Sequence, residues 1–279
     1  MKTAVIYAYY ETPQSVVNLE FFAEVGMAPH DDVTFVVIIN GRHCSIRLPR
    51  YQGCIILERD NVGFDFGAHR QGLLRLSERF GTMVESLPFD NFVFLNSSVI
   101  GPFLPSYFPQ GQHWTTVLTS RLNEQVKLAG PSIVCLPRTD AGGYGPKVEG
   151  YCFATDLTGL GILWGDARVF MDHATKFGCI VDGEYGMSRA VLGAGYSLDC
   201  LLYKYQGMDW SDPANWDQND NAPPSRQGTY DGISIHPFEV VFHKWYWSHH
   251  PTQLVAYEYM EKYRRWKLEQ VRRASRRSE

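Results

Sequence analysis

Four short apolar runs in the first hundred residues constrain the fold of this chain more than any other sequence feature. Each run is rich in β-branched or aromatic residues, which is typical of strands. Their centres are apolar without alternation, as expected of strands buried on both faces of a parallel sheet. The runs extend over Thr3–Tyr10, Val33–Gly41, Gly53–Asn61 and Phe89–Ser98.

Helical patterns separate several of these runs. One helix is predicted from Pro13 to near Gly26, and another over Phe66–Gly81, where the glycine stops it. Alternating strands and helices predict an α/β fold with a mostly parallel central sheet and helices on both faces. We expect a single domain of this kind, followed by a basic C-terminal helix.

The second half of the chain is less regular. A short helix is predicted near 114–122, a strand and turn over 148–163, and a helix followed by a strand over 184–207. The long segment Asp209–Gly228 is polar and rich in Pro, Asn and Asp. A loop of this length is either a lid or binding loop, or a passive surface insertion.

Composition indicates an intracellular globular protein. With 279 residues and 44% hydrophobic residues, the chain can bury a sizeable core. It has no apolar run of about 18 residues, so no membrane span is expected. Its first residues are more typical of a strand than of a signal peptide. The six cysteines form no CxxC pair, which favours free thiols in a reducing cytoplasm.

Basic residues are concentrated at the C-terminus. Lys262–Glu279 carries eight Lys or Arg and two Glu, whereas the whole chain has a net charge of −4. The acidic body shows no nucleic-acid groove, so no nucleic-acid partner is expected. A helix is predicted here, with Tyr259, Tyr263 and Trp266 spaced i, i+4, i+7. It is either a solvated helix end or an element that contacts an anionic membrane peripherally, from the cytoplasmic face.

The segment Glu58–Leu73 has the most informative pattern for binding. Gly63 and Gly67 flank Asp65 at a helix entrance, where backbone N–H groups can approach an anion closely. Asp65 either caps the helix or accepts hydrogen bonds from a ribose or base. Arg70 lies one turn further on, where its guanidinium could reach a diphosphate.

Two further stretches carry candidate catalytic groups. Asp182 and Glu184 stand just before a predicted helix, where a carboxylate is either a general base or an N-cap. Glu239, His243 and Lys244 lie in an aromatic setting. His243 can ligate a metal, bind phosphate or be a structural histidine, and Lys244 can neutralise phosphate charge.

Taken in order, these stretches resemble GT-A-type glycosyltransferases. The similarity is to rhamnan-synthesis F-like, rhamnosyltransferase-like proteins and to related algal, fungal and viral glycosyltransferase domains. It is carried by ERDNVGFDFGAHRQGL, FVFLNSSVIGPFLP, VKLAGPSIVC, GEYGMSRAVLGAGYSL and HPFEVVFHK, and it extends over roughly residues 3–245.

The resemblance implies transfer of a hexosyl, deoxyhexosyl or pentosyl group in polysaccharide biosynthesis. The donor would be a nucleotide-diphosphate sugar, and the acceptor a glycan or a lipid-linked glycan. Residues 1–251 would form the glycosyltransferase domain, with a donor half to about residue 110 and an acceptor half from about residue 111. Residues 252–279 would form the basic tail. The alternative is a non-catalytic domain that binds a sugar nucleotide or glycan and has lost its metal-binding acids.

The resemblance also assigns roles to residues. Glu184 would be the acceptor-activating base, with Asp182 as the second candidate. A single base without an evident nucleophile suggests inversion at the anomeric carbon. His243 and Lys244 would close over the diphosphate. The other candidate donor-binding residues are Tyr7, Tyr9, Asn61, Asp65, Gly67, Arg70, Asn96 and Ser98.

The main departure from the family concerns the metal. Asn96 and Ser98 stand where the usual Asp-x-Asp would be, and neutral oxygens are weak ligands for Mg²⁺ or Mn²⁺. In the first alternative the diphosphate is bound without a metal, by Arg70, His243, Lys244 and helix N–H groups. The other keeps Mn²⁺ or Mg²⁺ on the phosphate oxygens with an outlying protein ligand. The sequence favours the first, and the candidate ligands for the second are Asp65, Glu239 and His243.

Overall fold

The computed structural model describes residues 1–219, 222–244, 258–259, 261–262, 264–270 and 273. Within these residues nine strands are present. They are β1 (Thr3–Tyr10), β2 (Val33–Asn40), β3 (Cys54–Arg59), β4 (Asn91–Asn96), β5 (Val126–Gly130), β6 (Ile133–Val134), β7 (Lys147–Val148), β8 (Cys152–Asp156) and β9 (Ser197–Cys200).

The central sheet is mostly parallel. Its strand order is β3-β2-β1-β4-β8-β5-β9, and the short β6 and β7 pair separately. Among the described strands of this seven-stranded sheet, only β8 runs antiparallel to its neighbours, β4 and β5. The predicted fold class, α/β with a mostly parallel central sheet and helices on both faces, is therefore confirmed.

Helices connect and cover the strands. They are α1 (Pro13–Val25), α2 (Phe64–Phe80), α3 (Thr116–Thr119), α4 (Leu157–Gly165), α5 (Lys176–Gly178), α6 (Tyr185–Gly193) and α7 (Pro237–Val240). Short 3₁₀ turns lie at Val84–Ser86, Tyr203–Tyr205 and Pro213–Asn215, and a π-helical turn over Cys179–Glu184 joins α5 to α6. In the described part of the chain, no helix combines the length and apolar character needed to cross a membrane.

Local sequence explains the two long helices of the first half. At the start of α1, Thr12 and Ser15 form a capping box, with Pro13 at the first helical turn. Helix α2 ends at Gly81, which adopts the left-handed conformation with φ of 62°. Both helices were predicted, and α2 begins two residues before the predicted Phe66. The segment 148–163 differs, because the strand β8 is followed by the helix α4 and not by a turn alone.

Alternate residues of the central strand β1 enter two different cores. Ile6 packs in the core that contains Leu73 of α2. Tyr7 faces the other side, where its ring stacks on Phe22 of α1 at a centroid distance of 4.8 Å. This double coverage explains why the strand is apolar along its whole length.

The C-terminal segment is helical in its described residues and contacts the domain. Arg264 forms ion pairs with Glu24 and Glu20 of α1, at 2.8 Å and 3.5 Å. The predicted aromatic Tyr263 and most of the basic tail lie outside the described residues.

Candidate functional site

A cavity of about 710 Å³ opens at the carboxyl ends of β1, β2 and β4. Ligands of parallel α/β sheets bind at this edge. The structure brings seven of the candidate residues from the sequence to the cavity lining, namely Tyr9, Asn61, Asp65, Asn96, Ser98, Glu184 and Lys244.

The polar end of β4 forms a hydrogen-bonded floor. The Asn96 side-chain amide donates to a carboxylate oxygen of Asp65 at 2.6 Å. The Asn96 carbonyl oxygen accepts from the backbone N–H and the hydroxyl of Ser98, at 3.0 Å and 2.6 Å. Asn18 of α1 donates to the Ser97 carbonyl at 2.9 Å, which fixes the backbone of the turn. Both ends of the Asn96 amide are therefore engaged.

Asp65 lines the cavity and is not the N-cap residue of α2, although its carboxylate accepts from the Phe66 backbone N–H of the first helical turn at 3.1 Å. The N-cap of α2 is Gly63, with φ of 73°, and it has no side-chain capping bond. Besides the Asn96 amide, the Asp65 carboxylate accepts from the Cys179 thiol at 3.2 Å. A Cβ atom at Gly63 would lie 2.4 Å from Cα of Asp172, so only glycine fits beside that segment.

Glu184 ends the π-helical turn and is held by a buried lysine. Its carboxylate lies 3.1 Å from the Nζ atom of Lys147, whose side chain is only 6% exposed. Asp140 provides a second carboxylate 3.6 Å from the same Nζ atom. Glu184 makes no side-chain capping bond to α6. Single π-turns within helices are frequent at functional sites.

The electrostatic environment of this pair is asymmetric. Burial raises the pKa of Glu184 and nearby Glu149 and Asp65 add to the rise, while Lys147 and Lys244 oppose it. Burial alone would lower the pKa of Lys147, but the surrounding carboxylates, led by Glu184, outweigh burial and raise it. Lys147 therefore stays protonated, and the pKa of Glu184 is raised, which makes its carboxylate a stronger base.

Two candidates lie beneath the cavity. Tyr7 is 1% exposed in the α1 core. His243 is 5% exposed, and its Nε2 atom lies 3.1 Å from the Ile235 carbonyl. Burial lowers the pKa of His243 to about 4, so the imidazole is neutral at pH 7 and supplies no charge for a diphosphate.

Four further candidates are not brought to the cavity lining. The Arg70 guanidinium lies over the Trp164 ring of α4, at 5.9 Å. Gly67 packs against the Asp172 segment, where a Cβ atom would come within 2.3 Å of a carboxylate oxygen. Glu239 accepts long hydrogen bonds of 3.5 Å from the Tyr203 N–H and the Tyr230 hydroxyl. Asp182 lies in the π-helical turn, two residues before Glu184.

Two cations of the cavity lining, Lys176 and Arg226, have no signal in a single sequence. Together with the predicted Lys244 they bring three cations to the cavity. Arg226 comes from the long polar segment, and its neighbour Ser225 donates to Glu149 at 3.4 Å. The described part of that segment thus contributes to the cavity, which favours a binding loop over a passive insertion.

A second group of unpredicted lining residues lies at the ends of β1 and β2. Asn40 is buried, and its amide N–H donates to the Tyr9 carbonyl at 3.2 Å. Its side-chain carbonyl has no hydrogen-bond partner within the described chain. Tyr10 beside it is half exposed. An unpaired buried acceptor next to an aromatic face can take a ligand N–H or O–H.

The residues at this edge do not form a metal-binding set by themselves. No three His, Cys, Asp or Glu side chains converge in a geometry suited to a cation within the residues that the structure describes. The Asn96 oxygen is occupied by Ser98, and the Asp65 carboxylate is bonded to the Asn96 amide. Hard divalent cations need several free oxygen ligands, so this donor set does not fit one.

Comparison with known proteins finds solved structures that are similar to this chain, but no matching sequence family. No family model and no curated protein sequence matches the chain. A solved structure, the mannosyltransferase PcManGT from Pyrobaculum calidifontis in complex with GDP-Man and Mn²⁺, is similar with a TM-score of 0.43 and 12% identity. The match covers 96% of this chain and 72% of that chain. A similarity this low does not identify the function, and the resemblance to rhamnan-synthesis F-like proteins stays a prediction.

Proposed function

We propose that this chain is a GT-A-type glycosyltransferase that moves a sugar from a nucleotide-diphosphate donor to a glycan or lipid-linked acceptor. One observation carries the proposal. A carboxylate with a raised pKa, Glu184, lines the same cavity as the three cations Lys176, Arg226 and Lys244. Sugar transfer from a diphosphate needs both functions, a base for the acceptor and positive charge for the leaving group.

The donor's nucleoside is proposed to bind at the ends of β1 and β2. The half-exposed Tyr10 ring offers a stacking face, and the unpaired Asn40 oxygen accepts a hydrogen bond. Asn61 and Asp65 line the neighbouring wall. Both halves of the chain contribute to the cavity. A donor half before about residue 110, an acceptor half after it, and a domain that ends near residue 251 are part of this proposal.

The proposed reaction is a single displacement. The acceptor oxygen attacks the anomeric carbon while Glu184 takes its proton, and the bond from that carbon to the diphosphate oxygen breaks. The leaving diphosphate keeps the electron pair, and nearby cations stabilise its charge. One displacement inverts the anomeric configuration. The proposed displacement uses no metal, because the donor set at the β4 end does not fit one.

Thermal shift is the first test of donor binding. A panel of nucleotide-diphosphate sugars is screened for ligands that raise the melting temperature, with EDTA and with Mn²⁺. Release of nucleoside diphosphate, by transfer or by hydrolysis, then measures turnover. We expect binding and turnover in EDTA. A donor that binds without release under either condition would instead support the non-catalytic binding domain.

Glu184→Gln tests the proposed base. The amide can still donate or accept hydrogen bonds, so we expect unchanged donor binding, with turnover lower by roughly 10²- to 10⁴-fold. Asp199→Asn is the matched control, because Asp199 is a partly buried carboxylate paired with Arg121 at 3.7 Å and does not line the cavity. Full turnover by Glu184→Gln would remove Glu184 from this role.

We also propose that the protein contacts anionic membranes peripherally, at their cytoplasmic face. A groove of about 920 Å³ lies between residues 104–112 and the C-terminal helical residues. Tyr107 is 85% exposed and Trp266 is 50% exposed, and both line the groove beside Lys262 and Lys267. Amphipathic aromatic rings together with lysines are suited to an anionic lipid interface.

A further inference from the structure

We propose that Lys147 is a positioning residue, which holds the Glu184 carboxylate at the cavity in its ionised, proton-accepting form. This inference rests on the proposed function of Glu184. The lysine touches neither donor nor acceptor in this proposal, and it acts only through the carboxylate.

The ammonium group of Lys147 contacts two carboxylates and one aromatic ring. Its Nζ atom lies 3.1 Å from Glu184 and 3.6 Å from Asp140. The same atom is 5.2 Å from the centroid of the Tyr185 ring, a cation–π contact. The Lys147 side chain is only 6% exposed, so its ammonium group has lost most of its hydration. A buried charge of this kind is stable only when partners such as these compensate that loss.

The backbone fixes the two ends of this ion pair relative to each other. Lys147 belongs to β7, which pairs with β6 at Val134. The next backbone N–H, that of Val148, donates to the Ser188 hydroxyl of α6 at 3.0 Å. Helix α6 continues directly from Glu184. The lysine and the carboxylate are therefore tied to the same helix, and their separation is set by rigid elements.

The position of the pair distinguishes it from a structural ion pair. Lys147 and Glu184 both line the cavity, and about a fifth of the Glu184 side chain is exposed there. The buried pair of Lys127 and Asp156, at 2.6 Å, has no part in the cavity lining. A pair that serves stability alone has no need to face a ligand site.

The charged groups around Glu184 determine what removal of Lys147 does. Lys147 and Lys244 favour its ionised form, whereas burial, Glu149 and Asp65 favour its protonated form. Without Lys147, Lys244 is left to oppose the other three influences, so the pKa of Glu184 rises further. A general base acts only when it is deprotonated. At a fixed pH below the pKa of Glu184, each unit by which that pKa rises therefore lowers the activity about tenfold.

Lys147→Met tests the inference through the pH dependence of turnover. We expect the acidic limb of kcat/KM to move up by at least about one pH unit, with turnover recovering at high pH. Donor binding measured by thermal shift should change little. Lys147→Arg keeps the positive charge and should keep the limb near its original position.

A matched control separates positioning from stability. Lys127→Met also removes a buried ion-paired lysine, so it should lower the melting temperature without moving the acidic limb. Where Lys147→Met proves too unstable to assay, Lys147→Gln carries the same expectation with a smaller packing change.

The possible failures are distinguishable. Suppose that Glu184→Gln is inactive, but that the acidic limb of kcat/KM does not move in Lys147→Met or in Lys147→Gln. This result would overturn the role of Lys147 and leave the proposed base intact. Full turnover by Glu184→Gln overturns the proposed base itself. A limb shift of the same size in Lys127→Met would also refute the positioning role, because that lysine is remote from Glu184.

Discussion

Replacing Asn96 by Asp tests why the β4 end is neutral. The Asn96 amide donates to the Asp65 carboxylate at 2.6 Å. Asn96→Asp removes this donor and places two carboxylates in contact. Two carboxylates at such a distance cannot both stay ionised without a large penalty. The substitution would also restore an acid at the place where the resembled family has one.

The magnitude follows from two contributions. Loss of a hydrogen bond to a charged group costs about 1.5–3 kcal/mol. The added repulsion is limited, because one carboxyl can instead take up a proton. Protonation costs about 1.4 kcal/mol for each pH unit above the ordinary pKa near 4, and so about 4 kcal/mol at pH 7. A protonated carboxyl would itself donate to its neighbour, so the two contributions are alternatives and do not add. We therefore expect Asn96→Asp to lower the free energy of unfolding by about 2–4 kcal/mol at pH 7.

The sign of the pH dependence is specific. A carboxyl with a raised pKa in the folded state destabilises the protein above its unfolded pKa, and the deficit disappears as pH falls. Urea denaturation at pH 7 and pH 5 should therefore show a smaller deficit at pH 5. Asn96→Ala loses the hydrogen bond without adding charge, so its deficit should be nearly independent of pH.

A divalent cation provides an independent readout of the same substitution. Two facing carboxylates can ligate Mn²⁺, and a cation that binds only the folded state stabilises it. Mn²⁺ should therefore raise the melting temperature of Asn96→Asp more than that of Asn96→Ala. A pH-independent deficit equal to that of Asn96→Ala would refute the contact between Asn96 and Asp65 on which the reasoning depends.

Two further predictions concern the backbone at α2 and the proposed membrane surface. Gly63→Ala should lower the free energy of unfolding by at least about 2 kcal/mol, because left-handed backbone is unfavourable and the new Cβ would overlap the packed segment 2.4 Å away. Gly81→Ala is its control in urea denaturation: it is also left-handed but has open space, so only about 1 kcal/mol should be lost. Replacing both Lys262 and Lys267 by Ala should weaken co-sedimentation with anionic phospholipid vesicles about 30-fold, at about 1 kcal/mol for each lysine. Equal binding of the double variant, or equal binding of the native chain to neutral vesicles, would contradict the membrane proposal.

Local patterns predicted the first half of the fold well. The strands β1 to β4 coincide with four apolar runs, and glycine signals at Gly26 and Gly81 mark the ends of α1 and α2. The antiparallel β8 and the following α4 were less accessible. Their segment 148–163 is mostly apolar and contains three glycines, so it shows neither a period of two nor a clear helical period. Strand direction also depends on distant pairing, which local pattern does not encode.

The candidate site was predictable where chemistry and chain position coincide. Asn96 ends a strand, Asp65 lies at a helix entrance, and Glu184 precedes a helix, so a pattern places all three at the cavity edge. Lys147 lies on a two-residue strand without any motif, and only the fold brings it to Glu184. Conversely, His243 has aromatic neighbours in the sequence because it is buried. Burial lowers its pKa, so His243 is a poor source of positive charge.

The charges of the cavity offer a physical reason for a neutral strand end. The lining contains four acids and four cations: Asp65, Asp140, Glu149, Glu184, Lys147, Lys176, Arg226 and Lys244. Formal charge therefore balances before any ligand binds. Acids at both Asn96 and Ser98 would add two negative charges beside a site proposed to receive a diphosphate, and only a bound cation could offset them. Asn96 and Ser98 instead bond to each other, and the Asn96 amide leaves Asp65 as a single paired carboxylate. A neutral floor together with the cations Lys176, Arg226 and Lys244 thus provides one consistent route to diphosphate binding.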